Sequence, residues 1–365
     1  MPAKQLHLLL APKERFEPEG AGAFALNVLE TSRVSRYRGS ITVFGSPVAH
    51  PFDGVAFRPL PKAHWWEGDR NRAMARRYGR LAERQRPDLI EVYNRPVMVD
   101  VLRHRFDDIP IALHFGNDPR KMDGSRSVIE RRTLIEQSAA IVCVSEYVRH
   151  CFLDGTNHPL SSRVEVLHTG VPRAPVLPPK ENRIVFVGRV VPEKGVLELV
   201  QALSRVLRQH TDWSAEIIGA RWFGAGEHPT SYENSVARAA ASCDRISLAG
   251  FRPHEEVLAA LGRASVAVVP SLWDDPFPRT ALEALAQGCA LVSSRRGGLP
   301  ELGTDRALYV DMVSAESLGG ALEQLIEDEE TRQRLQRSAR EDFPFDIHRT
   351  TGALDDLRER LMSPP

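Results

Sequence analysis

The chain's 365 residues carry 48 lysines and arginines against 48 aspartates and glutamates, with 42% apolar and 26% charged side chains. That balance removes the electrostatic basis for a nucleic-acid binder, and no uninterrupted apolar run approaches the roughly 20 residues needed to span a bilayer. The composition is that of a soluble globular protein, and the length favours two domains, each able to bury its own core.

The opening MPAKQLHLLLAPKERF has too short an apolar core for a secretory signal, so it reads as a first strand of a cytoplasmic protein. Short β-branched runs then alternate with longer helical patterns. Strands are expected over Gln5–Leu10, Ser40–Phe44, Asp88–Val92, Ile109–His114, Ala139–Val144 and Val164–Leu167. Helices are expected over Gly22–Val34, Arg70–Gln85 and Arg126–Gln137, which is the rhythm of a parallel α/β sheet. Four prolines between Val171 and Asn182 then mark an extended connector. A second set of strands follows at Ile184–Val187, Ala215–Ile218, Arg245–Ala249, Ala264–Val269, Ala290–Ser293 and Ala307–Val310. Its helices are Val196–Gln209, Tyr232–Ala241, His254–Leu261, Thr280–Gln287 and Ala315–Ile326.

The fold class expected is therefore α/β, with two Rossmann-like domains facing across a cleft. An N-terminal domain spans 1–172 and a C-terminal domain 173–345, and the tail at 346–365 is a helix packing back on the N-terminal domain. Ligands of such sheets lie beyond the carboxyl ends of the strands. Cys143, Cys151, Cys243 and Cys289 show no C-x-x-C spacing, so reduced structural thiols are expected rather than a metal site or disulfides. A nicotinamide-dependent oxidoreductase would want a compact G-x-G-x-x-G turn, and neither half has one.

Two stretches carry the chemistry. Val187-Gly188-Arg189 ends a strand, and Pro192-Glu193-Lys194-Gly195 precedes a helix, so Arg189 and Lys194 share the loop at that helix's N-terminus. Alone, each is a common solvated loop charge; together at a helix N-terminus they form a diphosphate clamp. The second stretch runs from Val266 to Glu301. There Pro278 opens a helix as its first residue, Gly288 closes it, and Asp275 and Glu283 flank its loop-facing end as acceptors for sugar hydroxyls.

In the first half, Gly20 and Gly22 sit between a strand and a helix, where glycine lets backbone approach a phosphate or sugar closely, although an ordinary flexible turn reads equally well. His114 ends an apolar run and places an imidazole at a strand's carboxyl end; the plainer alternative is a loop histidine satisfied by backbone. Trp65 and Trp66 suit stacking on an acceptor sugar or packing between helix and sheet. The arginine-rich run Arg70 to Arg86 reads as a solvated helix face with an affinity for anionic membrane as its rival, and Glu327 to Arg340 as a polar helical surface.

On these residues the C-terminal half resembles the family 4 retaining glycosyltransferases of GT-B fold. Gly188-Arg189 with Lys194-Gly195, the pair Asp275 and Glu283 in an E-x7-E arrangement, and Gly297-Gly298-Leu299-Pro300-Glu301 follow that family's pattern. The resemblance implies that Arg189 and Lys194 hold the donor diphosphate, Glu283 accepts from ribose hydroxyls, Asp275 faces the donor sugar and Phe251 lies near the base. It further implies a glycine loop at Gly20 and Gly22, a donor-sugar contact by His114, and matching elements at Ser145-Glu146 and His168-Thr169-Gly170-Val171. His114, Asp275, Arg189 and Lys194 would be the catalytic set, with no metal and no cofactor beyond the nucleotide-sugar donor itself.

The implied function is transfer of a sugar, with retention, to a glycan or glycolipid acceptor in bacterial surface polysaccharide or lipopolysaccharide synthesis. The implied place is the cytoplasm, with peripheral association at the inner face of the membrane. A GT-B-fold sugar-nucleotide epimerase and a non-catalytic nucleotide-sugar-binding protein are the alternatives. This chain departs from the family pattern at Asp275, where Glu is usual, and at Pro276 and Pro278, where glycines are usual. Prolines donate no N–H, which leaves Phe277, Arg279, Thr280 and Ala281 as the donors to a ligand.

Overall fold

The computed structural model describes residues 4–363 apart from 63, 222–228, 304 and 342. Two compact units emerge: Met1–Gly170 with Ile347–Pro365, and Val171–Asp346. Each is a parallel sheet with helices, and the two are Rossmann-like.

The first unit runs β1 (Leu6–Leu9), α1 (Ala23–Val34), β2 (Ile41–Gly45), β3 (Ala56–Pro59), α2 (Arg70–Ala82), β4 (Leu89–Tyr93), α3 (Val97–Arg103), β5 (Ile111–Phe115), α4 (Val128–Gln137), β6 (Ala140–Cys143), α5 (Glu146–Leu153) and β7 (Val164–Val166). Its sheet has the order β3-β2-β1-β4-β5-β6-β7. The second unit runs β8 (Glu181–Val187), α6 (Val196–Gln209), β9 (Ser214–Ile218), α7 (Ser231–Ala240), β10 (Ile246–Gly250), α8 (His254–Arg263), β11 (Ala264–Val269), α9 (Arg279–Ala286), β12 (Ala290–Ser294), β13 (Ala307–Val310), α10 (Ala315–Glu327) and α11 (Glu329–Arg340). Its order is β10-β9-β8-β11-β12-β13. A last helix, α12 (Ile347–Met362), belongs to the first unit.

The orders locate the binding crevices. In each sheet the chain first winds one way and then the other, so the strand order reverses between β1 and β4 in one unit and between β8 and β11 in the other. At such a switch point the connections leave in opposite directions and open a crevice at the carboxyl ends of the strands. Continuous apolar runs such as that of β11, buried at every residue, suit strands covered on both faces. The helices are one-sided: α6 buries Val196, Leu199, Val200, Leu203 and Val206 into the core shared with β8, β9 and β11.

Several expectations are corrected. β3 is a largely exposed edge strand ending at Pro59, with only Phe57 partly covered, and so lacks a strand's apolar pattern. α3 and α5 are seven and eight residues long, too short for periodicity to declare them. Pro278 is the N-cap of α9, in extended conformation, and the helix begins at Arg279. α11 is not merely a polar surface, because Leu335 and Ala339 are buried along it. Trp65 and Trp66 pack into no helix–sheet interface: they are 90% and 64% exposed, with His64 stacked on Trp66.

α12 presses Leu354, Leu357 and Met362 into a core that also holds Leu6, Leu8 and Val28. Where the chain enters and leaves the second unit, Val171 and Asp346 form a parallel bridge, with the Val171 N–H donating to the Phe345 carbonyl at 3.0 Å. Among the described residues no helix is long and apolar enough to cross a membrane, and all four cysteines are buried free thiols.

Candidate functional site

In the second unit, the loops leaving β8, β11 and β12 converge at the switch point because glycines let their backbones touch. Gly195 has φ +66, and a Cβ there would run into the Pro270 carbonyl oxygen; Gly297 has φ +56, and a Cβ there would strike the backbone of Asp274 and Asp275. The close approach is completed by Leu272 N–H to Glu193 carbonyl at 2.9 Å and Gly298 N–H to Asp275 carbonyl at 2.8 Å.

This brings Lys194 and Asp275 together. The Lys194 ammonium is hydrogen-bonded and ion-paired to Asp275 Oδ2, which also accepts from the Ser271 hydroxyl at 3.3 Å. Lys194 lies 5.5 Å from the centre of the Trp273 ring. Arg189 stands exposed on the same loop as Lys194, with no side-chain partner among the described residues. Gly188 donates its N–H to the Ile218 carbonyl at 3.0 Å and fixes the start of that loop. α6 starts at a left-handed Gly195 with no side-chain cap, though its Leu197 N–H donates to the Tyr232 hydroxyl at 3.1 Å.

Glu283 is buried one turn into α9, where its Oε1 accepts from Arg279 Nε at 2.6 Å and bonds His254 Nε2 at 2.7 Å. Burial alone would push its carboxyl up; the Arg279 charge and the His254 contact outweigh that and hold it low. Arg279 is therefore matched by Glu283 rather than adding a surplus charge. α9 has no side-chain cap, and Thr280 is half-buried in its first turn. The Ala281 N–H, expected to serve a ligand, donates to the Pro278 carbonyl at 3.1 Å instead. Phe277 is buried against Phe345 with ring centres 5.3 Å apart, and Phe251 is partly exposed just beyond β10.

The first unit's crevice lies beyond β1 and β4. Gly20 has φ +79, and Gly22 is the N-cap of α1. The room left by the missing Gly22 side chain is taken by the Glu14 carboxylate, 2.6 Å from where a Cβ would stand. Burial raises Glu14, against the charge of Arg95 and a hydrogen bond from the Ala25 backbone. The N-terminal end of α1 thus already faces an anion of the protein's own. Asn94, at positive φ, follows β4 and accepts through Oδ1 from the Gly116 N–H at 3.3 Å. His114 is a buried strand residue rather than a loop residue, stacked on Tyr93 with ring centres 4.4 Å apart. Ser145 caps α5 by accepting from the Val148 N–H.

Sequence reasoning missed His254 and Trp273. His254 meets Glu283 across 29 residues and two helices, so no local pattern announces it. Trp273 is adjacent to Asp274 and Asp275, and that position was the available signal. Among the described residues no group of three His, Cys, Asp or Glu side chains is placed to hold a metal ion.

Two parallel-sheet Rossmann-like units are the architecture of the GT-B fold, and solved structures similar to this chain share it. Anabaena Alr3699/HepE in complex with UDP matches at a TM-score of 0.75 and 16% identity, over 98% of this chain and 100% of that one. Residues 171–342, which lie in the second unit, match the family described as Glycosyl transferases group 1. The chain is 26% identical over 285 residues to spore coat protein SA of Bacillus subtilis (strain 168), covering 72% of this chain and 75% of that protein. It is 25% identical over 337 residues to the putative glycosyltransferase YtcC of the same organism, covering 84% and 79%.

Proposed function

We propose that the protein is a retaining glycosyltransferase that moves a sugar from a nucleoside diphosphate sugar to a hydroxyl of a glycan or glycolipid. The observation that carries this reading is the meeting of Lys194 and Asp275 at the switch point of the second unit, beside the exposed Arg189 and the starts of α6 and α9. A diphosphate entering that crevice competes with Asp275 for Lys194 and adds Arg189 and the helix ends. These groups stabilise charge that grows on the diphosphate as it leaves, which is binding realised in the transition state. Glu283, held by Arg279 and His254, accepts from the ribose hydroxyls through what its Oε1 leaves free, and Asp275, released from Lys194, accepts from the donor sugar.

No side chain of the crevice is an evident covalent nucleophile, so the reaction is assigned as front-face substitution. The anomeric carbon–phosphate oxygen bond breaks, the acceptor oxygen bonds the same face, and the acceptor proton passes to the departing phosphate. No metal enters this scheme. His114 contacts the substrate sugar. The resemblance supports a role in bacterial surface polysaccharide or lipopolysaccharide assembly, at the cytoplasmic face of a membrane. Exposed Trp65 and Trp66 beside the arginine-rich α2 support peripheral contact with anionic lipid. UDP complexes of the HepE fold neighbour make UDP-sugars the first donors to try.

Thermal-shift screening across nucleoside diphosphate sugars identifies the donor, since a ligand that binds the folded state raises its melting temperature. Arg189→Ala and Lys194→Ala then lose transfer while staying folded; full activity in both variants defeats the proposal.

A further inference from the structure

The first unit contains a buried charge network that the scheme above does not use. Both oxygens of Glu91 on β4 are engaged: Oε1 accepts from Arg358 Nε at 2.7 Å, and Oε2 accepts from Arg358 Nη2 at 3.0 Å and from the Tyr93 hydroxyl at 2.8 Å. Arg358 comes from α12 and is 0% exposed. Its Nη1 donates to Asp355 at 2.9 Å, and Asp355 is fixed in turn by the Ser35 hydroxyl at 2.7 Å and the Arg36 N–H at 2.8 Å.

His114 sits beside this network, in register with Tyr93 on β4 and with Val142 on β6. Its Nε2 lies 3.8 Å from Glu91 Oε2, too far for a hydrogen bond. Nε2 is sealed from solvent without a partner, whereas Nδ1 is not among the sealed polar atoms.

We infer that Glu91, locked by Arg358 of α12, is a positioning residue for His114: it fixes the imidazole proton on Nε2 and leaves Nδ1 as an acceptor that takes a sugar hydroxyl rather than a phosphate oxygen. The reason is electrostatic. A tautomer with its lone pair on Nε2 would aim that pair at a carboxylate, whereas an N–H there aims a positive dipole at it. Arg358 and Tyr93 occupy the carboxylate so fully that it biases the proton's place without drawing a second proton onto the ring. Burial holds His114 down to about 4; Glu91 pulls the other way and Arg358 adds to the lowering, so the ring is neutral at pH 7. The titratable groups packed around it are Glu91 and Tyr93 from β4 and Arg358 from α12, with Asp355 behind; Val142 of β6 contributes none. A neutral acceptor at Nδ1 repels a phosphate oxygen and matches a hydroxyl.

The inference rests on the reading of His114 as a substrate contact, but its first test needs no substrate. Long-range proton–nitrogen correlation spectra of histidine-labelled protein, with His114 identified by its loss in His114→Gln, report the tautomer directly. The expected wild-type result is the Nε2–H form at pH 7. Tyr93→Phe keeps the stacked ring and frees one lone pair of Oε2, so the His114 midpoint rises by about 1 pH unit with the proton still on Nε2. Glu91→Leu abolishes the tautomer preference. A wild-type ring protonated on Nδ1, or a tautomer and midpoint unchanged in Tyr93→Phe, overturns the inference even if Glu91→Leu fails to fold. In a binding arm, His114→Ala weakens the sugar nucleotide selected by the thermal-shift panel by about tenfold and leaves its parent nucleoside diphosphate unchanged. Equal losses for both overturn the hydroxyl assignment. Failure of the transfer proposal would show as the absence of any selected donor, with the tautomer result unaffected.

Discussion

Mild acid should destabilise the first unit through two histidines before any paired carboxylate is reached. His7 on β1 bonds the Tyr78 hydroxyl at 2.9 Å in the core, and His114 lies buried on β5. Burial, reinforced by the charge of Arg58 for His7 and opposed by Glu91 for His114, holds each at about 4 instead of 6.5. As pH falls through 6.5 the unfolded chain takes up a proton at each site while the folded chain does not. Stability from these groups is therefore complete above 6.5, is lost across the window from 6.5 to about 4, and changes no further below it. The gap of about 2.5 units (6.5 − 4) at about 1.4 kcal/mol per unit gives about 3–4 kcal/mol for each histidine, with a combined slope of about 3 kcal/mol per pH unit. Against a total stability of about 5–15 kcal/mol this is a large share. Glu91, which burial would raise but Arg358 holds down to about 2, adds its own loss as pH falls from the ordinary value of 4.5 to about 2. Urea titrations at half-unit steps from pH 7 to 4.5, followed by hydrogen exchange of peptides from β1, β4 and β5, read this unit separately. His7→Gln and His114→Gln should each remove about half of the slope. A wild-type slope below about 1 kcal/mol per unit, or an unchanged slope in the double variant, would refute the reasoning.

Gly195→Ala should cost about 2–3 kcal/mol in chemical unfolding, because its positive φ and the Pro270 carbonyl both oppose a Cβ, whereas Gly320→Ala on α10, with open space around it, should stabilise by about 0.5–1 kcal/mol. Equal effects at the two positions would contradict the packing described. Glu283→Gln keeps the side chain's size but loses the charge facing Arg279 and His254, for an expected loss of about 2 kcal/mol and weaker sugar-nucleotide binding by calorimetry. A variant matching wild type in both measurements would show the carboxylate to be idle. Trp65→Ala with Trp66→Ala should lower cosedimentation with anionic vesicles about tenfold or more and leave melting temperature unchanged, since both rings are exposed.

The fold was legible wherever a helix or strand buries a continuous stripe. α6 falls at Val196–Gln209 as its apolar period demands, and β11 and β13 end where their apolar runs give way to Pro270 and Asp311. Legibility failed where burial is slight or the element short, as in β3, α3 and α5. In the candidate site, Lys194 and Asp275 each stand out beside a glycine or proline that shapes their loop, yet nothing local says that they pair across 81 residues. Arg358 is instructive. In a charged tail it looks like one more solvated arginine, but it lies one turn beyond Leu354 and beside Leu357 on the stripe that packs inward. That position was readable; its partner on a strand 267 residues earlier was not.

The same separation orders the maturation of the chain. Glu91 leaves the ribosome long before the guanidinium that neutralises it, and the whole of Val171–Asp346 is made in between. The second unit is contiguous and can close as it emerges, while the first waits with an uncompensated acid in a half-built core and an uncovered face where α12 will lie. The half that is translated first is therefore the half completed last.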